Sequence, residues 1–130
     1  MSFSAKVTET WQEGTDPAVT NTITVEADSR QGFDVAVPPT TTDQLIALTM
    51  DVSAVQAIMF LADQDLTLET NSGSAADDSL ALKANAAYIW HPDKIDAFQL
   101  TADVTALYVS NAGATAATLK IRALIDATPA

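Results

Sequence analysis

At 130 residues the chain has the length of one domain, residues 1–130, able to bury its own core. It contains no Cys, which excludes a disulfide framework and a thiolate metal site. Seventeen acidic residues against six basic ones give a formal net charge of −11, a field that repels phosphate backbones and anionic lipid, so neither nucleic acid nor membrane is expected as a partner.

The opening Met1–Ala5 lacks the basic segment and apolar run of a signal peptide, so no cleaved leader is expected. The longest apolar-rich stretch, Val52 to Ala62, is interrupted by Ser53 and Gln56 and falls short of the roughly 20 residues of a membrane span. A soluble chain is the expectation.

Ala and Thr dominate while Lys, Arg and Glu are scarce; few long charged residues disfavour solvated helices, and Thr, Val and Ile suit pleated surfaces. Alternation at period two then marks the strands in order. Phe3, Ala5 and Val7 alternate with polar residues, and Trp11 keeps their parity. Ile23 and Val25 follow, then Phe33, Val35 and Val37. Leu45 to Val52 is more continuously apolar and is expected to be a central strand. Asp51-Val52-Ser53 offers a competing capped turn, ranked below strand. Ala57 to Leu61, Leu66 with Leu68, and Leu80 with Leu82 and Ala84 continue the series.

The last two runs, Val104 to Val109 and Ala117 to Leu124, flank Asn111-Ala112-Gly113-Ala114 and are expected to form a hairpin. Asn and Gly tolerate the positive φ such a short reversal demands. Lys120 and Arg122 would face outward and blunt an edge, while Leu124 breaks the polar parity. Turn clusters such as Gly14-Thr15-Asp16-Pro17 and Asn71-Ser72-Gly73-Ser74 separate the runs. No repeat of fixed period and no linker is visible, so one all-β domain of about eight strands is expected.

The inventory for chemistry is thin. A single His, His91, cannot build the usual His-based metal site, and Trp90-His91-Pro92-Asp93 reads as a turn. No Gly-x-Ser-x-Gly elbow is present. Asp63-x-Asp65 and Asp77-Asp78 fit turn residues better than a cation loop, because the distal Glu of such a loop is missing. The four Gly residues are scattered through turns, so no phosphate-binding loop exists. Catalytic, cofactor and metal sites are therefore all expected to be absent. The remaining candidates are aromatic partner contacts: Phe3, Trp11, and the pair Tyr88 and Trp90, which share one face of their run.

Two segments of the second half carry a resemblance. Ser79-Leu80-Ala81-Leu82-Lys83-Ala84-Asn85-Ala86-Ala87-Tyr88-Ile89-Trp90 is similar to a segment of small virion proteins of tailed bacteriophages. So is Asp103-Val104-Thr105-Ala106-Leu107-Tyr108-Val109-Ser110-Asn111-Ala112-Gly113, with its continuation from Ala117 to Asp126. The likeness covers about the last half of the chain and is a pattern of strands and turns, not a catalytic motif. It implies a capsid decoration (cement) protein on the outer capsid surface of the virion. Such a protein commonly has a β-sandwich fold, forms a homotrimer or another homo-oligomer, and bridges subunits of the major capsid protein without catalysis.

The fold expected is accordingly a β-sandwich of jelly-roll type, with an immunoglobulin-like sandwich as the alternative. Two other functions stay open: a phage tail or head-fibre component, and a carbohydrate-binding β-sandwich that stacks sugars on Tyr88 and Trp90. Within the virion reading, the strand around Phe3 to Trp11 is expected to extend a neighbour's sheet.

Overall fold

The period-two alternation is realised as ten strands in the computed structural model, which describes residues 2–126. In chain order they are β1 (Phe3–Trp11), β2 (Val19–Ala27), β3 (Ser29–Val37), β4 (Thr41–Ile46), β5 (Val55–Ala62), β6 (Leu66–Thr70), β7 (Ser79–Leu82), β8 (Tyr88–Trp90), β9 (Leu107–Asn111) and β10 (Ala117–Ile125). A single 3₁₀ turn, Val52–Ala54, interrupts them. No helix among the described residues is long and apolar enough to cross a membrane.

The strands β3 to β10 form a β-sandwich. One four-stranded sheet has the order β3-β10-β5-β8 and the other β4-β9-β6-β7, with every pairing antiparallel. The pairing is nested: β3 with β10, β4 with β9, β5 with β8, β6 with β7. That is a long antiparallel ribbon wound on itself. Leu119, Ile121, Ile58 and Phe60 from the first sheet meet Ile46, Leu68, Leu107 and Val109 from the second. Each of these is almost wholly removed from water, and at about 25 cal/mol per Å² such burial is the main stabilising term.

β1 and β2 stand outside this body as a two-stranded ribbon paired over its full length, from Phe3↔Ala27 to Trp11↔Val19. Its base lies on the outer face of the β3-β10-β5-β8 sheet. There Phe3, Ala5 and Val25 pack on Ala27, Ala57 and Leu124, a second and smaller core. This contact accounts for the parity break at Leu124. The side chain points away from the main core, yet the ribbon covers it.

Four expectations are corrected by this architecture. First, β9 and β10 are not a hairpin: they lie in different sheets, so residues 112–116 carry the chain across the sandwich. Asn111 and Gly113 are absent from the positive-φ residues; the Asn111 side chain holds the crossing instead. Its Nδ2 donates to Thr115 O at 2.9 Å and more weakly to Val37 O and Pro38 O, while its Oδ1 accepts from Gly113 N at 3.0 Å.

Second, Leu45 to Val52 is no central strand. β4 ends at Ile46 and is an edge strand, kinked by a bulge where Asp43 takes φ 52°. Leu48 and Met50 still enter the core from an irregular segment pinned by the Met50↔Val104 bridge. Val104 likewise stands alone, and the strand expected from it starts at Leu107. Third, the capped turn wins over strand at Asp51, whose carboxylate accepts from Ser53 N at 2.9 Å and Ser53 Oγ at 2.6 Å. Fourth, Lys120 and Arg122 belong to a central strand, so they protect no edge of their own. Arg122 reaches across Gly32 to Phe33 O at 3.0 Å and Asp34 Oδ1 at 2.9 Å, on the edge strand β3.

Candidate functional site

The ribbon alternates strictly, and its two faces differ. On one face Phe3, Ala5, Val7, Glu9 and Trp11 oppose Ala27, Val25, Ile23, Asn21 and Val19. On the other, Ser4, Lys6, Thr8 and Thr10 oppose Glu26, Thr24, Thr22 and Thr20, with hydroxyl contacts of 3.3 Å between Thr8 and Thr22 and 3.4 Å between Thr10 and Thr20. The first face is apolar where it meets the sandwich, and beyond it carries the polar pair Glu9 and Asn21 before the apolar pair Trp11 and Val19.

Burial shows where the sandwich stops supporting the ribbon. Phe3, Ala5, Val7, Ile23 and Val25 are half-buried, whereas Thr8 to Trp11 and Val19 to Thr22 are exposed throughout. The outer half therefore projects as an arm. Its last apolar pair is open to solvent, Trp11 at 69% and Val19 at 71% exposure. The tip is well formed. Trp11 Nε1 donates to Glu13 Oε1 at 3.0 Å, Asp16 N to Glu13 O at 2.9 Å and Gln12 Nε2 to Asp16 O at 3.0 Å. Gly14 at φ 53° supplies the left-handed residue that the reversal needs. Midway along the arm, Glu9 Oε1 meets Lys94 Nζ at 3.0 Å, which ties the arm to the loop after β8.

Of the candidate aromatics, the structure brings Phe3 and Trp11 onto one face of the ribbon but at opposite ends. Phe3 is at the base under Arg30, whose guanidinium lies 4.7 Å from the ring centroid. Trp11 is the most exposed of the four. Tyr88 and Trp90 do share a face of β8, and that face points into the sandwich. Tyr88 packs edge-on against Phe60, 6.2 Å between centroids at 88°. Its hydroxyl accepts from Gln99 N at 3.0 Å, and desolvation raises its pKa. Trp90 stacks on Phe98 at 4.3 Å and 7°, and its Nε1 donates to Asp96 O at 3.1 Å. Both residues line an open groove of about 670 Å³ between β7, β8 and Glu9, with one face of Trp90 covered by Phe98 and Tyr88 held against Phe60.

Val19, Glu9 and Lys94 escaped the sequence reading. The signal existed for Val19, because a ribbon with Gly14 at its turn pairs it with Trp11; it was missed because Val19 follows a Pro-containing loop and alternates with nothing apolar before Ile23. Glu9 and Lys94 are far apart in sequence and carried no such signal.

The loop carboxylates serve the backbone. Asp63 accepts from Thr118 N at 2.8 Å and Asp65 from Ala84 N at 2.8 Å. Asp77 accepts from Asn71 Nδ2 at 2.7 Å. Asp78 takes Thr101 N at 2.7 Å, Thr101 Oγ1 at 2.8 Å and Ala102 N at 3.1 Å. Burial opposes ionisation of Asp78, but these three bonds outweigh it and hold its carboxyl below the ordinary value. His91 follows β8 in a turn as expected, yet it is buried, with Nδ1 lacking a hydrogen-bond partner.

Comparison with protein-family models, with curated proteins and with solved structures finds no match to this chain.

Proposed function

We propose that the protein is a structural component of a tailed-bacteriophage virion. In this reading it is a decoration protein that sits on the outer capsid surface as a homotrimer and bridges subunits of the major capsid protein without catalysis. The observation that carries the reading is the projecting arm. A two-stranded ribbon in water is marginally stable by itself. This one nevertheless extends past its support and ends in the exposed pair Trp11 and Val19. An aromatic anchor at the end of a lever suits insertion into a neighbouring subunit, where such residues dominate binding energy. Repetition over a lattice then multiplies a modest contact through multivalency.

The nested pairing of the sandwich favours the jelly-roll form over the immunoglobulin-like one, because its first and last strands are partners. The sugar-binding alternative loses ground, since Trp90 spends one ring face on Phe98 and Tyr88 is held by Phe60 and by Gln99 N at its hydroxyl.

Copy number in purified particles tests the reading. Decoration of a lattice requires between about one copy per shell subunit and one per three. A handful of copies per particle points to a tail or head-fibre component, and absence from the particle rejects the virion reading. Trp11→Ala should weaken attachment to shells at least tenfold while leaving the isolated chain folded; unchanged attachment would remove the arm from the mechanism.

A further inference from the structure

A second surface lies alongside the arm's base. β1 is paired with β2 on one side and with no strand on the other among the described residues. Along it runs an apolar groove of about 800 Å³. Its wall is β1 itself, every residue in succession from Ser2 to Thr8. In a strand, successive side chains point to opposite faces. A groove lined by all of them follows the backbone edge, where unpaired N–H and C=O groups sit. Its floor is the outer face of the β3-β10-β5-β8 sheet, where Arg122, Met59 and Ile89 form one cross-strand row.

An unpaired strand edge above an apolar floor is the geometry of strand addition: the main chain bonds to the edge and alternate side chains enter the floor. The wall from Ser2 to Thr8 spans roughly 20 Å, enough for a strand of ordinary length.

Charge identifies the occupant. Lys6, Arg30 and Arg122, half of the six basic residues, border this one groove in a chain of net charge −11. A second copy pairing β1 to β1 would set these same bases against their equals, which like-charge repulsion opposes at this surface. We propose that the free edge of β1, floored by Met59, Ile89 and Arg122, is a strand-addition groove. Its occupant is an extended segment of a different protein, apolar at alternate positions and carrying a carboxylate that faces the basic border of Lys6 and Arg30, since Arg122 is already paired with Asp34. This inference stands apart from the virion reading, because it concerns the base of the ribbon and not its tip.

The test tethers a probe strand to the full chain. An N-terminal extension of alternating Val and Thr, begun by Glu and joined through an Asn-Gly turn, places the probe beside β1 in antiparallel register. The control carries Pro at two central positions of the same extension. The Val/Thr extension should raise the thermal midpoint by several degrees and slow hydrogen exchange at alternate amides between Ser4 and Thr8 at least tenfold. The Pro control should do neither. Met59→Glu should abolish the difference between extended and unextended chains, a comparison that cancels any effect of Met59→Glu on the fold. Lys6→Gln should reduce the gain for the Glu-bearing probe more than for one begun by Gln. Equal exchange at those amides with and without the probe overturns the groove. Sedimentation of the unextended chain as a dimer that Met59→Glu dissociates overturns the choice of occupant in favour of a second copy. Loss of shell attachment in Trp11→Ala alone leaves this groove untouched.

Discussion

Asn111 shows how a side chain can take over a role read as backbone. It is fully buried and closes three carbonyls and one amide around the crossing from β9 to β10. Asn111→Ala should therefore cost about 2–3 kcal/mol in chemical denaturation, the usual penalty for stranding buried polar groups. Asp78 makes the loop between β8 and β9 sensitive to acid. Its carboxyl lies below the unfolded value of about 3.9, so its stabilisation is complete above that pH and is lost as pH falls through the folded value. Asp78→Asn should flatten the denaturation midpoint in that window while lowering it near neutrality. Asp126 has the reverse sign: desolvation and the Asp28 carboxylate raise it, so its stabilisation is present below the unfolded value and fades as pH rises. Asp126→Asn should thus raise the thermal midpoint slightly at pH 7. Turn carboxylates were legible in the sequence because Asp recurs beside Gly, Ser and Pro; which amide each one holds was not, since the partners of Asp78 come from a loop some twenty residues later.

At the scale of elements, period two located the strands well but not their neighbours. Ile121, Leu119 and Ala123 could be assigned to a buried face from alternation alone, and the structure buries them. The pairing of β9 with β4 and β6 was hidden, because Asn111 to Gly113 looks the same whether the chain turns back within a sheet or passes to the other one. Tyr88 and Trp90 illustrate the same limit for the site: parity set them on one face and could not say which side of the sheet that face was. The ribbon was visible as two alternating runs, and the exposed half was not, since exposure depends on where the sandwich beneath it ends. Leu124 is the test of its attachment. Leu124→Ala removes the centre of the small core under Phe3 and Ala5 and should cost about 2 kcal/mol, with increased proteolysis of residues 12–18 as the sign that the ribbon has loosened. The Glu9–Lys94 pair, more than half exposed on the Glu side, should contribute under about 1 kcal/mol and fade with salt.

For the molecule as a whole, the nested pairing has a consequence for how the chain acquires its structure. The strand that opens the sandwich, β3, waits for the strand that closes it, and β10 is also the central member that joins β3 to β5. A chain emerging from its N-terminus can complete the ribbon at once, because β1 and β2 are adjacent, but it cannot close the β3-β10-β5-β8 sheet until β10 arrives. Loop closure over such separations slows folding and leaves apolar strands without partners meanwhile. Synthesis is then a race in which the last nine-residue strand is the finishing piece. Loss of even that short segment would leave β3 and β5 with unpaired edges facing an open core.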